Sequence, residues 1–242
     1  MKKRINSDDS KVVLSAVQDI VKLLSIVTVF NTPGERFQIA SHVFRVFDLV
    51  EKSYSLGRMI TILNTWEDPY IIYECLKAIT LLAPGPRIAN TPEDSLMHPK
   101  KFYYKALLAK EGIIPLLLKM TTVKWLEVKR QAILALGMLI QSCIDVRDVV
   151  VGLDGINILI NLIYEDIDID TGKAIAWTLS LLAGVTIKGQ SSTLDQSHVI
   201  ALVKIFTWFL YWKDDTDTLA HSLLGLSYLL PLVELTLENK DV

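Results

Sequence analysis

A seven-residue apolar segment occurs three times in this chain at a fixed spacing. The segment begins at Gly112, returns at Gly155 and returns again at His198, so both steps are 43 residues long. A period of about 20–50 residues is typical of repeat proteins, in which each unit buries its apolar face only against its neighbours. The spacing therefore predicts a stacked array with an extended binding surface before it predicts any chemistry.

A second apolar series is interleaved with the first and indicates the kind of repeat. Its central leucines are Leu136, Leu179 and Leu226, at steps of 43 and 47 residues. Repeats of roughly 40–47 residues that consist of two or three helices are typical of armadillo and HEAT arrays. We therefore predict an all-α fold, a right-handed armadillo (ARM) repeat solenoid of about four to five repeats.

The composition fits buried helices better than membrane spans. Of 242 residues, 51% are hydrophobic, and the mean hydropathy is +0.36. The longest uncharged run, Thr218 to Val233, has only 16 residues, whereas a membrane helix needs about 20. No signal-peptide pattern follows Met1. The net charge of −2 does not indicate the clustered basic surface that nucleic-acid binding usually needs. We expect no membrane and no nucleic-acid partner, and a cytoplasmic and nuclear location.

One interval departs from the period and suggests an insertion. From Ile79 to the equivalent Leu136 is 57 residues, about 14 more than the repeat. The excess falls in residues 84–101, where Pro84 and Pro99 interrupt helix, so a long inserted loop is expected. The predicted organisation is a disordered basic and acidic N-terminus at 1–10, a single armadillo domain at 11–237 and a C-terminal tail at 238–242.

Patterns that would indicate catalysis or metal binding are missing from the sequence. A calcium loop that opened at Asp166 would need glycine at its sixth position and glutamate at its twelfth, where Thr171 and Trp177 stand. The acidic run from Glu165 to Asp170 is better explained as the start of a helix, where the dipole favours negative charge. The sequence lacks nucleophile-elbow and phosphate-loop motifs. We expect no enzyme activity, no metal and no cofactor.

Several segments resemble importin alpha (karyopherin alpha), the armadillo adaptor that recognises nuclear localisation signals. Gln131 to Gly137 is similar to the family's Gln-Ala-Val-Trp-Ala-Leu-Gly, and Arg147 to Val150 is similar to its Arg-Asp-Leu-Val. Trp177 to Ser180, and the 47-residue step that follows, also resemble consecutive repeats of that family. The resemblance covers nearly all of residues 12–230.

The resemblance implies a concave groove in which each repeat offers a tryptophan and, one turn later, an asparagine to an extended peptide. In this chain the equivalent positions, and the position of a lysine-pairing aspartate, are Lys77, Leu81, Leu134, Met138, Ser142, Trp177, Leu181, Leu224 and Tyr228. One tryptophan, Trp177, is kept and no asparagine is kept. Leucine and methionine cannot hydrogen-bond a peptide backbone, so the groove is expected to be more apolar than the family's.

The resemblance implies an importin-alpha-like adaptor that recognises protein or peptide cargo in nuclear import. The alternative is an armadillo scaffold for protein–protein interaction without transport activity, which the substituted groove favours. Only Lys2, Lys3 and Arg4 precede the first repeat helix, so no importin beta partner is expected. The helix that includes Leu226 looks like an interior helix without a polar cap, which suggests a homodimer through the C-terminal helices.

Overall fold

The computed structural model describes residues 2–29, 48–50, 55–84, 103–184, 194–212 and 215–238. In these ranges the secondary structure is helical, with turns and short connections between helices and no strand. Nearly all of the predicted inserted loop at 84–101, and residues 239–242 of the predicted tail, lie outside the described residues. None of the described helices is long and apolar enough to cross a membrane.

The chain divides into two compact units, residues Met1–Leu117 and Leu118–Val242. The described helices of the first unit are α1 (Lys2–Ile5), α2 (Ser10–Val29), α3 (Ser55–Thr65), α4 (Pro69–Leu82) and α5 (Tyr103–Lys110); α6 (Ile113–Met120) runs across the boundary. Helix α2 packs on α4. The side chains of Val13, Val17, Ile20 and Leu24 are buried, at the spacing of three or four residues that places them on one side of the helix.

Sequence signals explain where α4 begins. Asp68 has an extended backbone, and its carboxylate accepts hydrogen bonds from the backbone N–H groups of Tyr70 and Ile71. Pro69 occupies the first helical position, where its missing N–H removes no helical bond. These two residues fix the start of the helix that carries Lys77 and Leu81.

The first ten residues differ from the prediction of a disordered terminus. Residues 2–5 form α1, and the side chain of Ile5 is fully buried. Arg4 pairs with Asp19 at 2.7 Å between Nη1 and Oδ2. Arg58 donates from Nε to the carbonyl oxygen of Ile5 at 3.2 Å. The apolar anchor and two arginine contacts hold this segment against α2 and α3, which composition alone did not indicate.

The second unit holds helices in the order expected of stacked repeats. They are α7 (Leu126–Ile140), α8 (Ile144–Gly152), α9 (Gly155–Ile163), α10 (Ile169–Ala183), α11 (Gln196–Phe209) and α12 (Thr216–Glu238). Helices α8, α9 and α10 make one three-helix repeat. Helix α10 packs against α7 on one side and α12 on the other, so the leucine series found in the sequence marks three consecutive helices of one row.

The acidic run before α10 caps that helix and ties it to α7. The carboxylate of Asp168 accepts a hydrogen bond from the backbone N–H of Thr171 at 2.9 Å. Arg130 of α7 pairs with Asp168 and lies 3.6 Å from Asp170, and Lys129 pairs with Glu165. These carboxylates therefore serve the helix start and the α7–α10 contact, as the helix-dipole interpretation predicts.

Candidate functional site

Helices α7, α10 and α12 carry a row of half-exposed or exposed side chains between buried neighbours. We call it the ladder face and define it by Leu134, Met138, Trp177, Leu181, Leu224 and Tyr228. On each helix its members are four residues apart, which places them on one side of the helix. Six of the nine predicted groove residues thus lie on three adjacent helices of one unit.

The other three predicted residues lie elsewhere. Ser142 follows α7 in the connection to α8, where it is exposed and has a positive φ of 62°. Lys77 and Leu81 are half-buried on α4, in the first unit. The ammonium of Lys77 lies 5.9 Å from the ring centroid of Tyr73, within the range of a cation–π contact.

The position of Trp177 on the ladder face is set by a glycine on the neighbouring helix. A Cβ atom added to Gly137 of α7 would lie 2.8 Å from Cε3 of the Trp177 indole and 2.9 Å from Oγ1 of Thr178. The same threonine hydroxyl donates to the backbone carbonyl of Ile133 at 3.3 Å. Because only glycine leaves room at 137, the indole lies directly on the backbone of α7.

An open hollow of about 340 Å³ lies beside this indole. Its lining residues come from all three ladder helices: Leu134, Asp170, Lys173, Ala174, Trp177, Asp217 and His221. Sequence reasoning named Leu134 and Trp177 and missed the polar members. Asp170 and Asp217 lie in the first turns of α10 and α12, and Lys173 and His221 lie about one turn further along the same helices. No repeat motif marks these positions.

The charged side chains around the hollow favour a cationic ligand. Asp170 and Asp217 are exposed at its edge. The ammonium of Lys173 is engaged by Asp215, with 3.0 Å between Nζ and Oδ1, and the hydrogen bond to Asp215 raises the pKa of Lys173. Burial lowers the pKa of His221 against the opposing effects of Asp217 and Asp215, which keeps this imidazole neutral at pH 7.

Asp215 is itself a buried carboxylate that holds the start of α12. Burial works against its ionisation, but hydrogen bonds from Thr218 and Lys173 and the charge of Lys173 hold its pKa below the usual value. The backbone N–H of Thr218 donates to Oδ2 of Asp215 at 3.3 Å. Asp215 thereby fixes both the lysine and the helix that supplies His221 and Leu224.

Two further features lie outside the ladder face. The rings of Trp208, Phe209 and Trp212 contact one another with centroids 5.3 Å apart, while Tyr211 is 75% exposed. Trp212 is half-buried, so these two adjacent aromatic side chains do not both face inward. In the first unit, an apolar cavity of about 200 Å³ is lined by Val50, Leu56, Gly57, Leu82, Tyr104, Leu107 and Glu111.

Among the described residues, no cluster of three or more histidine, cysteine, aspartate or glutamate side chains could hold a metal ion. Cys75 is buried, and burial raises the pKa of its thiol to about 12. Cys143 is half-buried, because it stands in the connection before α8. Neither thiol forms a disulfide.

Comparison with solved structures identifies the fold. A designed armadillo repeat protein in complex with the peptide (KR)4 matches with a TM-score of 0.64 and 14% identity, over 94% of this chain and 79% of that one. The chain has the armadillo repeat fold. A second designed armadillo repeat protein matches with a TM-score of 0.61 and 12% identity, over 94% of this chain and 98% of that one. The predicted all-α armadillo architecture is confirmed.

A third match is also a designed armadillo repeat protein of low sequence identity. One of a set of computationally designed armadillo repeat proteins for modular peptide recognition matches with a TM-score of 0.59 and 12% identity, over 94% of this chain and 97% of that one. No protein-family model and no curated protein matches the sequence. The armadillo likeness concerns the fold, and membership of the importin alpha family stays a prediction.

Proposed function

We propose that this protein is a non-catalytic armadillo scaffold that binds an extended segment of another protein along the ladder face. The observation that carries the proposal is the open hollow that is lined by the indole of Trp177 and by two exposed carboxylates, Asp170 and Asp217. The designed armadillo proteins of the same fold, one in complex with (KR)4 and one designed for modular peptide recognition, support a peptide as the occupant.

The side chains of the ladder face define what such a peptide should contain. A lysine or arginine stem can lie on the indole of Trp177, with its charge between Asp170 and Asp217; such contacts contribute about 0.5–2 kcal/mol. Leu134, Met138 and Leu181 offer apolar contact and no amide to hold the peptide backbone. The expected ligand therefore alternates basic and apolar residues, and its affinity depends on its side chains.

Fluorescence anisotropy with labelled peptides of matched length tests the proposal. A basic–apolar peptide such as (KL)4 should bind, (KR)4 should bind more weakly, and the acidic (EL)4 should not bind. Trp177→Ala should weaken binding about tenfold, because it removes the contact worth most. Trp125→Ala is the matched control, since Trp125 is 44% exposed before α7 and does not line the hollow.

Two results would contradict the scaffold proposal. One is equal binding of the acidic and basic peptides, which would mean that the carboxylates play no part. The other is an equal loss in Trp177→Ala and Trp125→Ala, which would place binding away from the ladder face. Circular dichroism of each variant separates loss of binding from loss of folding.

Nuclear import is the second candidate function, favoured by Trp177 at the position where the resembling family carries a groove tryptophan. On this reading the protein is an importin-alpha-like adaptor, present in cytoplasm and nucleus. The apolar side chains at 81, 138 and 181, which stand at the asparagine positions of that family, support the scaffold function more strongly. Nuclear accumulation of a cargo fused to a basic signal, dependent on this protein and lost in Trp177→Ala, would favour import over a scaffold.

A further inference from the structure

One residue that lines the hollow carries a charge of the wrong sign for a cationic ligand. Lys173 lies on α10, three residues after Asp170 and four before Trp177, so these side chains share one side of the helix. All three line the hollow. A free ammonium at this position would repel the basic residue of a bound peptide and compete with it for the carboxylates.

A buried carboxylate on the neighbouring element holds this ammonium. Nζ of Lys173 lies 3.0 Å from Oδ1 of Asp215, which stands directly before α12. The side chain of Asp215 is only 10% exposed. Its other oxygen, Oδ2, accepts hydrogen bonds from the backbone N–H and the hydroxyl of the fully buried Thr218. One carboxylate oxygen therefore caps the start of α12, and the other binds the lysine.

The two carboxylates of the hollow are the alternative partners of Lys173. Asp170 precedes it by three residues, the spacing of neighbouring side chains on a helix, and Asp217 lines the same hollow. The hydrogen bond with Asp215 raises the pKa of Lys173 most, and the charges of Asp170 and Asp217 also raise it. The ammonium is thus within electrostatic reach of both carboxylates while Asp215 binds it.

We propose that Asp215 is the positioning residue that makes the hollow selective for basic peptides, because it keeps the ammonium of Lys173 away from the place of the ligand's cation. While Asp215 and Lys173 neutralise each other, Asp170 and Asp217 remain for the ligand. Without the charge of Asp215, the lysine pairs with these carboxylates itself and prevents the ligand's cation from binding there. The inference rests on the proposed function, because it concerns the same hollow.

A double-mutant cycle on Asp215 and Lys173 tests this inference, with fluorescence anisotropy of labelled (KL)4 and (EL)4 on the full chain. Asp215→Asn should weaken binding of (KL)4 about tenfold, because it releases the ammonium. Adding Lys173→Met to that variant should restore the affinity to within about threefold of the unmodified protein, since the competing cation is gone. Lys173→Met alone should bind (KL)4 at least as tightly as the unmodified protein.

The double variant distinguishes positioning of the lysine from a purely structural role. Because Asp215 also caps α12, a loss that comes only from a disturbed helix start would persist when Lys173 is replaced. A double variant that binds (KL)4 as weakly as Asp215→Asn would overturn the inference, and so would an Asp215→Asn protein that binds like the unmodified one. If circular dichroism shows that Asp215→Asn is unfolded, Asp215→Ser takes its place, because serine caps helices without a charge.

The unmodified protein in the same experiment separates this inference from the proposed function. If it binds neither peptide, or binds both equally, the proposed function is contradicted and the role of Asp215 falls with it. If it binds (KL)4 and rejects (EL)4, the proposed function is supported. The cycle then decides the role of Asp215 alone.

Discussion

At the scale of single residues, Gly137 determines where the indole of Trp177 lies. Gly137→Ala would place a methyl group within 3 Å of the indole and of the Thr178 hydroxyl, although alanine favours helix by about 1 kcal/mol. Overpacking of this kind costs about 1–3 kcal/mol. We therefore expect a net loss of up to about 2 kcal/mol in the free energy of unfolding, measured by urea denaturation.

Gly152→Ala is the control for that substitution. No atom lies within 4 Å of the added methyl group at Gly152, which ends α8 in the same unit. The free energy of unfolding should change by less than about 0.5 kcal/mol. A loss in Gly152→Ala as large as that in Gly137→Ala would mean that the indole contact does not set the cost.

Asp215 makes the stability of the second unit depend on pH. Its pKa is lower in the folded protein than in the unfolded chain, as is that of Asp168, despite the opposing effect of burial. A depressed carboxylate pKa gives stability that is present above the unfolded value, near 3.9, and is lost as the pH falls through the folded value. Thermal unfolding should therefore occur at lower temperature below about pH 4.

Asp215→Asn tests which carboxylate carries this pH effect. The variant should lose about 1.5–3 kcal/mol at pH 7, the usual contribution of a hydrogen bond to a charged group. Its stability should also fall less than that of the unmodified protein between pH 5 and pH 3. Asp217→Asn, at an exposed position in the first turn of α12, should change either quantity little. Identical acid transitions in all three proteins would refute the assignment to Asp215.

At the scale of helices, the sequence predicted those whose buried faces follow the helical period. The buried positions of α2 recur every three or four residues, so its pattern was visible. Helix α8 was not predicted, because Arg147 is buried on it while Val149 is exposed, which removes the apolar periodicity. The four residues of α1 are too few for any period. Pro231, of a residue type that usually breaks a helix, lies inside the continuous helix α12.

The same reasoning explains how much of the candidate site was predictable. Alignment of the repeats placed Leu134 and Trp177 on neighbouring helices, because the residues of one row recur at a fixed period. Asp170, Asp217 and His221 reach the hollow from first turns, or from one turn further along the helix. Their positions depend on how the helix starts are capped, by Asp168 and Asp215, and capping varies between repeats. Periodicity therefore gave the apolar side of the hollow and not its charges.

At the scale of the whole molecule, the repeat places the ladder face on three successive helices of the second unit, α7, α10 and α12. The hollow beside Trp177 is lined by residues of all three helices. The predicted peptide site therefore depends on the packing between these helices and not on any one of them alone.

The final prediction concerns the carboxylate that α12 places at the hollow. Asp217→Asn should weaken binding of the basic–apolar peptide, because Asp217 is exposed and lines the hollow beside Trp177. The free energy of unfolding should change by less than about 0.5 kcal/mol, as is usual for an exposed position. Anisotropy and urea denaturation on the same samples measure both quantities. An unchanged peptide affinity in the folded variant would mean that this carboxylate does not set the preference for basic residues.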